Sequence, residues 1–149
     1  MKRNTNIFDK IGTLIPGYKG YQERNGRREC DRQLRVQISD LLFTNEKKLQ
    51  PFFEKADLNE MAEIEKIRKK MNNLKDMIKY SPYGASTFFS DSEIKERELE
   101  NIYDMDLDIL NLSNNLNEII NHNELTSIQL QLQKIEESIL KRNQFLKDK

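Results

Sequence analysis

The sequence predicts an all-α protein: an antiparallel bundle of three to four long helices with a short amphipathic N-terminal segment. Three observations predict it. Apolar residues recur at alternating spacings of three and four in Ile64, Ile67, Met71, Leu74, Ile78 and again in Leu125, Ile128, Leu132, Ile135, Ile139. That is the seam of helices packed side by side. Two capping boxes announce helix starts, Asp57-Leu58-Asn59-Glu60 and Ser90-Asp91-Ser92-Glu93. Five glycines and three prolines in 149 residues leave few places to turn, which suits long helices and not a sheet.

Residues 1–20 form an N-terminal amphipathic segment and connector, and 21–149 form the bundle. Ile7, Phe8, Ile11, Leu14 and Ile15 line one face of a short helix that Pro16-Gly17 ends. The first long helix is expected over about 21–50, with Cys30, Leu34, Ile38, Leu41, Leu42 and Leu49 on its stripe. Pro51 forces a break or kink near Lys48. The second runs from the Asp57 box to Tyr80, where Pro82 prevents continuation. The Ser90 box opens the third, over about 91–121. Asn123 is the expected cap of the fourth, whose seam runs through Ile139 and Leu146 with Arg142 between them.

Charge is balanced overall, with 25 Lys/Arg against 25 Asp/Glu, so the total predicts no nucleic-acid or membrane partner. The distribution is uneven. Residues 1–35 carry nine Lys/Arg against four Asp/Glu, and 91–118 carry two against nine. If both stretches lie at one end, Arg27, Arg28, Arg32 and Arg35 face Glu96, Glu100, Asp104 and Asp106. Asp106 falls on the apolar seam between Ile102 and Ile109, so it requires a partner. Arg27, Arg28 and Arg32 with Asp104 and Asp106 are therefore the expected structural ion pairs. No apolar stretch spans a bilayer or reads as a signal peptide, and one cysteine makes no internal disulfide. A cytoplasmic protein is expected.

Patterns that suggest chemistry break down on inspection. Gly12 and Gly17 stand at a phosphate-loop interval, but Tyr18 follows where lysine is required. Asp104, Asp106 and Asp108 mimic the start of a calcium loop, but Ile109 replaces its glycine and Asn115 its final glutamate. A di-iron bundle needs two Glu-x-x-His pairs, and His122 is the only histidine. Cys30 lies on the apolar stripe and reads as a core residue. The expected catalytic, cofactor and metal sets are all empty.

The runs Ile15-Pro16-Gly17-Tyr18-Lys19-Gly20-Tyr21, Arg27-Arg28-x-x-Asp31-Arg32-x-Leu34-Arg35 and Tyr80-Ser81-Pro82-Tyr83-Gly84 resemble a helical family of bacterial proteins to which no activity is assigned. The resemblance covers the first third and the central loop, and it implies neither substrate nor catalytic residue.

In an up-down-up-down bundle the start of the first long helix and the link between the second and third share a pole. Tyr18 and Tyr21 should share that pole with Tyr80, Tyr83, Phe88 and Phe89. The expected function is a non-enzymatic interaction or scaffold protein. It would dock a protein partner, or self-associate, through Ile7, Phe8, Ile11, Tyr18, Tyr21, Tyr83, Phe88 and Phe89. The aromatic loop could equally plug the bundle's open end. The alternative is a peripheral membrane protein using 5–15 as an interfacial helix, with Lys2, Arg3 and Lys10 at the headgroups and Asp9 opposing it. Nucleic-acid binding through Lys19, Arg24, Arg27, Arg28 and Arg32 is unfavoured where the acidic helix neutralises them.

Overall fold

The computed structural model describes residues 2–80, 88–89 and 94–148, without the side chains of 2–6, and contains no strand among them. It is a helical bundle. Its elements are α1 (Lys2–Leu14), a 3-10 turn (Arg24–Gly26), α2 (Arg27–Lys47), α3 (Gln50–Lys55), α4 (Leu58–Lys79), α5 (Glu96–Asn121) and α6 (Leu125–Asp148). Tyr83 and the Ser90 capping box lie outside the described residues.

The helix ends follow local chemistry. The chain unwinds at Lys48 and restarts as α3, with Pro51 in the first turn, where a missing N–H costs nothing. The Asp57 box closes in both directions: the Glu60 N–H donates to Asp57 Oδ1 at 2.8 Å and the Asp57 N–H to Glu60 Oε1 at 3.3 Å. Three boundaries differ from expectation. The third long helix begins at Glu96 rather than near 91: Ile94 and Lys95 are not helical, and the Lys95 N–H donates to Glu98 Oε1 at 3.3 Å where the helix starts. The first long helix begins at Arg27 rather than near Tyr21, because Gly26 marks the end of a 3-10 turn. Asn123 does not cap α6. It takes a left-handed φ of 62° just past α5 and donates its N–H to the Ile120 carbonyl at 3.1 Å. Asparagine tolerates that conformation, and here it serves the helix behind it.

The four long helices form a square. Neighbours around it are α2 and α4, α4 and α6, α6 and α5, α5 and α2, and α1 lies along α5. Each sequential hairpin is antiparallel. Glu46 meets Arg68 while Arg35 meets the end of α4 at the Lys79 carbonyl. Across the hairpins like-directed helices lie side by side: Glu63 meets Gln129 and Glu136 meets Lys70. So α2 and α5 are neighbours, not the diagonal pair that simple meandering implies.

One apolar core runs the length of the square. The expected seams fill it: Ile64, Ile67, Met71, Leu74 and Ile78 from α4, and Ile128, Leu132, Ile135, Ile139 and Leu146 from α6. Ile7, Ile11 and Ile15 join the same core, so the apolar face of α1 is covered by its own chain. Among the described residues no helix is long and apolar enough to cross a membrane.

Candidate functional site

At the pole where α2 and α5 begin and α6 ends, the core contains charge. Arg142 is 1 % exposed and Asp106 is fully enclosed. Helix periodicity puts them there: position 142 lies between Ile139 and Leu146, and position 106 between Ile102 and Ile109, all inward-facing. The antiparallel α5–α6 pairing brings them level. Arg142 Nε donates to Asp106 Oδ1 at 2.6 Å. Its Nη2 crosses the diagonal of the square to Asp31 Oδ1 on α2 at 2.7 Å. Arg35 then donates to the other Asp31 oxygen at 3.0 Å. Two arginines and two carboxylates thus cancel within one cluster, which makes the burial tolerable.

Tyr21 ties the N-terminal segment to this cluster. Its hydroxyl donates to Asp106 Oδ2 at 2.5 Å and accepts from Arg142 Nη2 at 3.2 Å. Its backbone N–H donates to the Tyr103 hydroxyl at 2.6 Å, and its carbonyl accepts from Arg27 Nε at 2.8 Å. Its ring stacks on Phe89, centroids 5.0 Å apart. Phe88 packs edge-on to Phe89 at 5.0 Å and to Phe145 at 6.0 Å. The connector therefore packs against Phe89, with Phe88 behind it, at the pole that topology implied, and α5, α6 and α2 all hold it.

Gly20 explains the closeness of the fit. A Cβ there would stand 2.6 Å from the Tyr103 hydroxyl and 2.7 Å from the Phe8 ring, and its φ of +78° is one that side chains resist. Only glycine lets the chain lie this near α5.

Burial governs the titratable groups. Burial pushes the Asp106 carboxyl up to about 6, even though Arg142 and the Tyr21 hydroxyl pull it down. Burial alone would lower Arg142, but Asp106 and Asp31 outweigh it and hold the guanidinium firmly protonated. At neutral pH both partners are therefore charged. Burial, assisted by Asp106, raises the Tyr21 and Tyr18 phenols. It also pushes the Cys30 thiol up to about 12, so this cysteine is not a thiolate nucleophile. These groups bind one another; chemically the cluster is an internal clamp.

The expected docking residues are distributed as follows. Ile7, Ile11, Tyr18, Tyr21, Phe88 and Phe89 are buried and Phe8 is partly buried. Tyr83 is outside the described residues. Among the expected ion pairs, Asp106 takes its guanidinium from Arg142 and not from α2. Arg32 pairs with Glu29 at 2.7 Å on the α2 surface, and Arg27 serves the Tyr21 carbonyl. The reason is geometric: Asp106 points into the square toward α6, while Arg32 faces solvent. Asp104 and Arg28 are both exposed, and Asp104 is on a regular helix with Asp108, which accepts from Ser138 at 3.0 Å. His122 is exposed at the end of α5.

Sequence reasoning placed Arg142 on a seam without giving it a partner, and it overlooked Asp31. Two charges on facing apolar stripes were the available signal. It found nothing comparable at the opposite pole, near Asp57. There a cleft of about 230 Å³ is walled by Pro51, Phe52, Ala56, Ile64 and Leu125, with Lys55 and Glu60 on it. At the same pole Leu58, the first residue of α4, is 84 % exposed, and Met61 is also exposed.

Compared with protein families, curated proteins and solved structures, the chain matches none.

Proposed function

We propose that the chain is a non-enzymatic helical interaction module that docks a protein partner at the pole formed by α3 and the first turn of α4. One observation carries the reading. Leu58 in the first turn of α4 is 84 % exposed and Met61, one turn on, is also exposed, at the same pole as the cleft between α3, α4 and the start of α6. A solitary exposed leucine is ordinary, but a leucine and a methionine exposed one turn apart at a helix start are the makings of a contact surface. Covering a leucine fully contributes about 1.5–3 kcal/mol, enough to make Leu58 the anchor.

The N-terminal segment and the aromatic loop then act as the fixed pole of the module. The rings of Tyr18, Tyr21, Phe88 and Phe89 are used inside, and on this reading their docking role passes to the other end. The buried, unreactive Cys30 suits a reducing cytoplasm.

The test is site-specific photo-crosslinking in the native cell. A photoreactive residue replaces Leu58, and a control replaces Lys134, exposed in mid-α6. The reading expects a discrete adduct from position 58 alone. No adduct, or equal labelling from both positions, would overturn it.

A further inference from the structure

Apart from the α3–α4 pole, we infer that the outer face shared by α2 and α4 is a second docking surface, and that its occupant is an acidic, aromatic-bearing segment of a partner protein. The face is built around Phe43, which is 45 % exposed on α2. Two ammoniums rest on its ring. Lys47 Nζ, one turn further along α2, lies 4.4 Å from the centroid, and Lys75 Nζ reaches across from α4 to 5.0 Å. Lys79, one turn beyond Lys75, repeats the arrangement, with its Nζ 5.4 Å from the exposed Tyr80 ring. A ring face attracts an ammonium through its quadrupole but carries no net charge. It therefore gathers cations without cancelling them.

Charge complementarity gives the sign of the occupant. Among the described residues, Glu46 is the carboxylate within ion-pair distance of these ammoniums, its Oε2 lying 3.8 Å from Lys75 Nζ. Glu46 is shared: its Oε1 faces Arg68 Nη1 at 3.7 Å and accepts from Asn72 at 3.2 Å. Three lysines thus stand against one carboxylate that already serves other groups. Carboxylates of a partner would supply the missing charge, while its rings would meet the open part of Phe43 and the exposed Val36, two turns earlier on α2. A continuous anionic surface suits the face less. Asp40, one turn before Phe43, and Asp76, next to Lys75, are both exposed. A bilayer or a nucleic-acid backbone would press phosphates against them, whereas a polypeptide places its carboxylates singly and can pass them by.

The probe is a fluorescently labelled random copolymer of glutamate and tyrosine, titrated with the full chain and followed by anisotropy at low and high salt. The inference expects saturable binding that weakens with salt. Phe43→Ala and the double variant Lys47→Glu with Lys75→Glu should each retain wild-type helicity by circular dichroism and bind roughly tenfold or more weakly. Lys134→Glu with Lys147→Glu makes the same change in net charge at exposed positions of α6, diagonal to α2 in the square. That variant should bind like wild type. No binding by wild type, or equal loss in the two double variants, would overturn the inference. So would binding of phosphatidylserine vesicles or polyuridylate, but not of the copolymer, that disappears in the Lys47/Lys75 variant; the face would then serve a membrane or a nucleic acid. Leu58→Asp should leave copolymer binding unchanged, so this surface and the α3–α4 pole stand or fall separately.

Discussion

Arg142, six residues from the end of α6, donates to Asp106 at 2.6 Å inside a core otherwise built of isoleucine and leucine. The same guanidinium reaches Asp31 and the Tyr21 hydroxyl, so it joins α6, α5, α2 and the N-terminal connector. Removing one member of such a cluster exposes the cost of the others. Arg142→Ala leaves Asp106 and Asp31 without their shared cation in low dielectric. The expected loss is about 3–5 kcal/mol, a fall in Tm of roughly 10 °C or more. Arg142→Met with Asp106→Leu deletes the central pair and fills its volume, so it should recover most of that loss. Thermal unfolding of the single and double variants measures both; a double variant worse than the sum of its singles would refute the pairing.

Asp106 also sets an unusual pH dependence. Its carboxyl is raised from 3.8 to about 6 in the folded chain, chiefly by burial. The folded state therefore binds this proton more readily than the unfolded state. Stability from this group grows as pH falls from 7 through 6 toward 4, and is lost as pH rises. Asp106→Asn removes the effect. The stability of wild type relative to Asp106→Asn should increase by a few kcal/mol between pH 7 and pH 4, read from urea unfolding midpoints. A difference that is flat, or that shrinks on acidification, contradicts the stated environment of Asp106.

The two left-handed glycines of the connector should respond differently. Gly17 has φ +73° and open space around it, so Gly17→Ala carries only backbone strain, about 1–2 kcal/mol. Gly20→Ala adds a collision with the Tyr103 hydroxyl and the Phe8 ring, and it displaces the bond from the Tyr21 N–H. It should therefore destabilise clearly more than Gly17→Ala in parallel melts. Equal effects would mean that the connector does not press against α5.

Phe88 discriminates between a plug and a docking residue. It is 4 % exposed and lies against Phe89 and Phe145. Phe88→Ala should cost about 3–5 kcal/mol by opening a cavity. A melting temperature within a degree of wild type would instead return Phe88 to the docking role.

Much of this fold is written in local pattern. The heptad seams of α4 and α6 and the Asp57–Glu60 box each depend on a few neighbouring residues, so reading the chain in windows finds them. What escapes is what depends on distant partners. Arg142 and Asp106 are 36 positions apart, and either alone looks like a charged residue interrupting a stripe. Only the antiparallel pairing of α5 and α6 sets them level, and only the adjacency of α2 and α5 adds Asp31. Counting charge by segment instead assigned the acidic helix to the nearest basic stretch, a bulk argument that ignores which face each arginine occupies. The amphipathic pattern of α1 was legible, but a covered face and a docking face have the same spacing. The Leu58 pole escaped for the opposite reason. Its feature is an apolar residue left outside, and composition gives no signal for that.

The central claim is that residues 7–21 are part of the bundle, clamped there through Tyr21 to Arg142 and Asp106. Native-state hydrogen exchange resolved by residue tests it most directly. The Tyr21 N–H, held by the Tyr103 hydroxyl, and the last turn of α1 should be protected nearly as strongly as mid-α5. That protection should fall by orders of magnitude in Tyr21→Phe, which loses the hydroxyl's bonds to the buried ions. Exchange of the Tyr21 amide and α1 at unfolded-chain rates in the wild-type protein, while α5 stays protected, would contradict the account.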